Sequence, residues 1–161
     1  MSDLRVGIGV DAHAFSDEAS LVLGGVSFPG EPGLAGHSDG DVVAHALVDA
    51  ILGAAGLGDI GTLFPAGDPR WEGVSSLLFV ERACEAIRLV AFEVVNADCV
   101  LVGERPRIAE KRGEMQGRLA AAMRVEVERV SVRATTTDGL GFTGRGEGLA
   151  AHAAALLERR G

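Results

Sequence analysis

Cysteine is nearly absent from this sequence. Cys84 and Cys99 are the only two, neither has a second thiol at metal-ligand spacing, and two thiols in 161 residues make no disulfide framework. This excludes a disulfide-stapled secreted domain and predicts a reducing, cytoplasmic setting of the bacterial type. Positive charge is scarce as well. Fifteen Lys and Arg against 23 Asp and Glu leave a formal net charge of -8. A surface of that sign does not displace the counterions of a nucleic acid or settle on an anionic membrane. An anionic substrate would therefore need a local positive centre, such as a metal ion. No uninterrupted apolar stretch reaches the roughly 18 residues of a transmembrane helix. The first five residues lack a basic segment leading into an apolar run. These absences predict a soluble, unprocessed protein with neither a nucleic-acid nor a membrane partner.

What is present suits a single domain over residues 1–161, since 47% of the residues are apolar and a chain of this length can bury a real core. Arg5 to Val10 alternates Val6, Ile8 and Val10 with Gly7 and Gly9, a period-two strand whose glycines permit close backbone approach. Leu21 to Phe28 reads as two short strands hinged at Gly24-Gly25. The turn signal Gly36, Ser38, Asp39, Gly40 opens a helix in which Asp41, His45 and Asp49 recur on one polar face. Val42, Val43, Ala46, Leu47, Ala50 and Ile51 supply its buried face. Residues 56–69 form a long punctuated loop of the kind that carries function. Ser75 to Ala91 reads as a helix, Val94 to Val102 as a strand, Ile108 to Met123 as a helix and Val130 to Ala134 as a strand. A final helix carries Leu149, Ala153, Leu156 and Leu157. This order predicts an α+β sandwich of one mixed sheet with helices layered on one face, ferredoxin-like.

Asp11 and His13, at i and i+2 of a strand, project to the same side. With His45 they would give zinc two imidazole nitrogens and a carboxylate oxygen, leaving one tetrahedral position open. Only four histidines exist in the chain, so their concentration here carries weight. His152, alone in the last helix, reads as structural or solvated. His37 and Ser38 could orient phosphate or hydroxyl groups, although Ser38, Asp39 and Asp41 also suit helix caps. The run Gly139 to Gly148 matches a dinucleotide fingerprint and a P-loop only superficially. The chain ends before the acidic strand that the first requires, and the second lacks its lysine and hydroxyl. What remains is a glycine-rich turn that either presents N–H donors to a phosphate or simply joins two elements.

Three separated motifs, in order, resemble one family. They are Asp11-x-His13; Gly36-His37-Ser38-Asp39-Gly40-Asp41 through His45; and Ala134 to Gly148, joined by Gly58-Asp59-Ile60-Gly61 and Phe64-Pro65. Over nearly its whole length the chain is similar to the 2-C-methyl-D-erythritol 2,4-cyclodiphosphate synthase family of non-mevalonate isoprenoid biosynthesis. The resemblance implies cyclisation of 4-diphosphocytidyl-2-C-methyl-D-erythritol 2-phosphate with release of CMP. It implies Zn2+ on Asp11, His13 and His45, and Mg2+ or Mn2+ on Asp138 with the substrate diphosphate.

The resemblance also implies roles for the remaining residues. His37 and Thr136 would stabilise the transition state, and Thr135, Thr136, Thr137 and Asp138 would contact the nucleotide diphosphate. Asp59, Ile60 and Gly61 would hold sugar or erythritol hydroxyls. Phe64, Pro65, Ala66, Gly67 and Asp68 would line the erythritol phosphate region. Gly103, Glu104, Arg105, Pro106, Arg107, Ile108 and Ala109 would form the cytosine pocket. Ser38, Asp49, Phe142 and Arg145 complete the substrate-binding set. A homotrimer is implied, with active sites between subunits and an isoprenoid diphosphate on the threefold axis. Asp138 stands where the family commonly has Glu, one methylene longer. A zinc phosphoesterase and a non-catalytic zinc-stabilised oligomer are the rival readings.

Overall fold

Alternation sets the first strand. β1 runs over Leu4–Leu23 in the computed structural model of the chain, which describes residues 3–161. Gly7 and Gly9 are buried while Val6, Ile8 and Val10 are exposed, so one face meets a helix and the other does not. β2 (Val26–Leu34) folds back on the outer half of β1 through Gly24 and Gly25, whose φ angles of 56° and 76° suit a tight hairpin. Then follow α1 (Val42–Ala55), α2 (Ile60–Leu63), α3 (Ser76–Leu89), β3 (Phe92–Val102), α4 (Arg112–Met123), β4 (Val130–Thr135), α5 (Gly141–Gly144) and β5 (Gly148–Arg159).

The strands form one sheet in the order β2-β1-β5-β3-β4. β3 and β4 are parallel, while the other pairs are antiparallel. The fold is thus α+β, a mixed five-stranded sheet with helices on one face. The element order departs from the β-α-β-β-α-β succession of a ferredoxin-like unit. No helix among the described residues is long and apolar enough to cross a membrane.

The expected final helix is a strand. Along β5, Leu149, Ala151, Ala153, Ala155 and Leu157 are buried while His152, Ala154 and Glu158 are exposed, a period of two. Its alanines favour a helix locally. However, β5 pairs along its length with β1 on one side and β3 on the other, and that context overrides propensity. β1 also runs well beyond Val10. The 56–69 loop contains α2, and α4 begins at Arg112 rather than Ile108.

α1 is the core helix. Val42, Val43, Ala44, Ala46, Leu47, Val48, Ala50, Ile51 and Leu52 are all fully buried, as expected of a helix apolar all round. The expected polar face of Asp41, His45 and Asp49 is therefore not a solvated face. Asp41 precedes the helix as its N-cap, and its carboxylate accepts N–H bonds from Ala44 (3.1 Å), Gly24 (2.9 Å) and Gly25 (2.7 Å). One buried carboxylate thus fastens the β1–β2 hairpin to the start of α1. Gly7 and Gly9 set the depth at which α1 sits. A Cβ on either would come 1.9 Å or 1.8 Å from the carbonyl oxygens of Ala50 and Ala46. On the opposite face of the sheet Leu4, Val6, Ile8 and Val10 are each more than half exposed.

Candidate active site

The close seat of α1 on β1 brings three donor groups together. Asp11 and His13 continue the face of Gly7 and Gly9, and His45 lies one residue before Ala46 on α1. The Oδ2 of Asp11 stands 2.7 Å from His13 Nε2 and 3.1 Å from His45 Nδ1, and the two ring nitrogens are 3.2 Å apart. Burial works against the charge on Asp11, but the imidazoles of His13 and His45 outweigh it and hold the carboxyl at about 2. The Asp11 carboxylate in turn raises His13.

The donor set fits a zinc ion. The Nδ1 of His13 faces the carbonyl oxygen of Ala35, which can only accept, so Nδ1 carries a proton and in the neutral ring Nε2 turns a lone pair inward. Two nitrogens and a carboxylate oxygen, each within 4.8 Å of the others, therefore converge. With both rings neutral, lone pairs so arranged repel unless a cation lies between them. The separations are slightly below the roughly 3.4 Å edge of a tetrahedron with bonds of about 2.1 Å. Three ligands leave one position open.

The cluster opens on a cavity of about 230 Å³ that is also lined by His37, Ser38, Ile60, Gly61, Phe64 and Ala66. His37 donates from Nε2 to the backbone oxygen of Asp68 at 2.9 Å. Asp49 does not reach the cluster. Its Oδ1 accepts the Ile60 N–H at 2.8 Å and so holds the start of α2 against α1, while burial pushes its carboxyl up. Asp59 is exposed and caps α2 through Thr62. Asp68 is occupied by Arg70 at 2.6 Å, and Pro65 and Gly67 are exposed in the turn between.

Sequence reasoning missed two walls of this cavity, Trp71 and Phe79. Phe64 stacks on Phe79 at 4.4 Å, and Trp71 stands edge-on to both, at 5.2 and 5.8 Å. The single tryptophan of the chain was the available signal for one. Phe79 is indistinguishable in sequence from any core residue of α3.

The remaining expected residues gather elsewhere. Glu104, Arg105, Pro106 and Arg107 line a separate cavity of about 420 Å³ with Phe28, Pro29, Glu31 and Lys111. Ile108 is buried beside it and Ala109 exposed. Gly103 N–H donates to Thr135 O at 3.0 Å, and Glu104 accepts the Gly139 N–H at 3.3 Å, so this loop and the β4 end are tied together. Thr135, Thr136 and Asp138 are exposed. The Thr136 hydroxyl donates to Asp138 at 3.2 Å. The Thr137 hydroxyl instead bonds to Leu140 O at 2.6 Å and meets Thr143, so it is engaged within the turn. Phe142 is exposed, and Arg145 pairs with Glu147 at 3.1 Å.

Within one chain these two groups do not meet. Ala12 pairs with Ala150, Ala150 with Val102 and Val102 with Thr135. Thr135 therefore lies in the row of Ala12 but three strands away, roughly 14 Å at ordinary strand spacing.

A family model described as the YgbB family matches residues 4–158. A 2-C-methyl-D-erythritol 2,4-cyclodiphosphate synthase of Rubrobacter xylanophilus is 57% identical over 99% of this chain and 98% of its own length. The solved bifunctional IspDF of Campylobacter jejuni superposes with a TM-score of 0.95 at 39% identity. The alignment covers 99% of this chain but 43% of that one, so this chain corresponds to a part of the bifunctional protein. The CDP complex of IspF from Plasmodium falciparum superposes with a TM-score of 0.84 at 30% identity, covering 98% of this chain and 97% of its own.

Proposed function

The chain belongs to the YgbB family, and from that premise we propose that it converts 4-diphosphocytidyl-2-C-methyl-D-erythritol 2-phosphate to 2-C-methyl-D-erythritol 2,4-cyclodiphosphate and CMP. It is a phosphorus-oxygen lyase of isoprenoid precursor biosynthesis. The observation that carries the reading is the convergence of three metal-ligating side chains, Asp11, His13 and His45, at the mouth of a cavity walled by His37 and Ser38.

In the reaction an oxygen of the 2-phosphate attacks the β-phosphorus, and the bond to CMP breaks with the electron pair leaving on CMP. The obstacle is repulsion between crowded phosphates. Asp11, His13 and His45 would hold Zn2+, which when bound supplies positive charge for the terminal phosphate. His37, whose ring is held by its Nε2–H bond to Asp68 O, and Ser38 line the cavity wall beside that phosphate. Phe64, Trp71 and Phe79 exclude water, so the internal phosphate rather than solvent is the nucleophile. Asp49 steadies the Ile60-Gly61 backbone, which faces the erythritol hydroxyls.

The nucleotide half would consist of Thr135, Thr136 and Asp138, where Asp138 would hold Mg2+ or Mn2+ to offset diphosphate charge, and residues 103–109 would receive cytosine. The spacing of three strands supports its delivery by a neighbouring subunit. The whole chain acts as a single catalytic domain in a cytoplasmic homotrimer. The apolar face of Val6, Ile8 and Val10 turns to the threefold axis, where Arg145 attracts an isoprenoid diphosphate.

Incubation with the cytidyl substrate, zinc and magnesium, followed by phosphorus NMR, should yield CMP and the cyclic diphosphate in equal amounts. A linear product carrying oxygen from labelled water would instead indicate a phosphoesterase.

A further inference from the structure

His45 faces the cluster through Nδ1, and its other ring nitrogen decides whether that atom is free to bind a cation. Nε2 lies 2.8 Å from the hydroxyl oxygen of Ser76, the fully buried first residue of α3. A serine hydroxyl has one proton. Here a stronger acceptor claims it: Asp39 Oδ1 stands 2.5 Å from Ser76 Oγ, and Asp39 Oδ2 accepts the Ser76 N–H at 3.0 Å. A carboxylate only accepts, and bonds to it are the stronger ones. The Ser76 proton therefore points to Asp39. The lone pairs of Ser76 Oγ turn to His45 and to the Ser38 hydroxyl, which lies 3.2 Å away. Nε2 must then carry a ring hydrogen, which in the neutral imidazole leaves Nδ1 with its lone pair.

We propose that Ser76 and Asp39 are positioning residues that lock His45 in the Nε2–H tautomer and so aim its Nδ1 lone pair at the metal. The inference rests on the zinc reading of Asp11, His13 and His45. Asp39 is itself anchored, because its N–H donates to Val74 O at 3.1 Å and its Oδ1 accepts the Asp41 N–H at 3.1 Å. The relay thus joins the loop before α1, the loop before α3 and α1 itself. Neither residue faces the open side of the cluster. Their effect on a metal passes through His45.

Asp39→Asn gives the sharpest test. An amide that keeps its oxygen on the Ser76 N–H turns its NH2 to Ser76 Oγ and gives up the Asp41 N–H bond, which frees the hydroxyl proton for His45 Nε2 and drives the ring hydrogen onto Nδ1, inside the cluster. Ser76→Ala is milder, because Ser38 Oγ lies 3.0 Å from the same Nε2 and can accept its proton. Ser75→Ala is the control. It removes the α3 cap on Leu77 N–H without touching His45.

The experiment measures zinc affinity of the wild type and the three variants by chelator competition. It also reads the His45 ring nitrogens by 15N NMR at about pH 8.5, above the ordinary imidazole range, after zinc removal. Asp39→Asn should weaken zinc binding roughly tenfold to a hundredfold and Ser76→Ala by less. Ser75→Ala should bind zinc like the wild type despite a lower urea midpoint. The wild-type ring should carry its proton on Nε2, and the Asp39→Asn ring on Nδ1. A wild-type proton on Nδ1, or wild-type zinc affinity in both relay variants, would overturn the proposal. The wild-type spectrum answers the question even if a variant fails to fold. A wild type that binds no zinc sinks the zinc reading and the relay with it, whereas zinc binding with unaffected variants sinks the relay alone.

Discussion

Gly9 of β1 and Ala46 of α1 meet backbone to backbone, so closely that a Cβ on Gly9 would stand 1.8 Å from the Ala46 carbonyl oxygen. That contact sets the height of α1 above the sheet. It therefore sets the distance from His45 to Asp11 and His13.

Gly9→Ala should force α1 away from β1, because backbone cannot yield as a side chain can. A loss of about 3 kcal/mol is expected for overpacking at such a site, together with weaker zinc binding as His45 withdraws. Gly53→Ala, in α1 with nothing within 4 Å of the added carbon, should stabilise by about 0.5–1 kcal/mol. Urea unfolding of both variants checks the pair. Equal effects would show that α1 does not depend on the glycines for its seat.

Asp41 gives a pH signature. Burial, and after it the charge of Asp39, pushes its carboxyl from the ordinary 3.8 up to about 6. Between those values the folded chain holds a proton that the unfolded chain has released. This group's contribution to stability is then full below the unfolded value and falls as pH rises through about 6. Asp41→Asn cannot titrate. The stability of the wild type relative to that variant, from urea unfolding, should therefore shrink across this window and level off above it. A difference that widens with pH would reverse the assignment.

Ile8 is 72% exposed on the bare face of the sheet, so Ile8→Glu should leave the fold of the subunit intact. In the proposed trimer it should set three carboxylates against one another at the axis and so prevent assembly. Light scattering should then report the subunit mass with unchanged circular dichroism. Persistence of the trimer would move the interface to another face.

His45→Ala and Thr136→Ala should each be nearly inactive alone. Co-expressed equally and mixing at random in a cyclic trimer, they should regain about a quarter of wild-type activity, the share of interfaces joining two intact halves. If mass spectrometry shows mixed trimers and no activity returns, both halves belong to one subunit.

The sequence alone carried the chemistry of the cluster, because ligand type and a spacing of two along a strand are local properties. Asp11 and His13 share a face in any strand, and Gly7 and Gly9 in the same strand already implied something pressed against it. Residues 148–159 show the opposite case. Their alanines and leucines satisfy a helical spacing as well as an alternating one, and only pairing with β1 and β3 on both edges makes them a strand. The same holds for Asp41, whose place in a polar helical repeat says nothing of the Gly24 and Gly25 N–H groups that claim it. Trp71, Phe79, Asp39 and Ser76 acquire their roles by approaching the cluster from α3 and from the loops before α1 and α3. Such meetings between distant segments are set by packing around α1, and no local pattern records them.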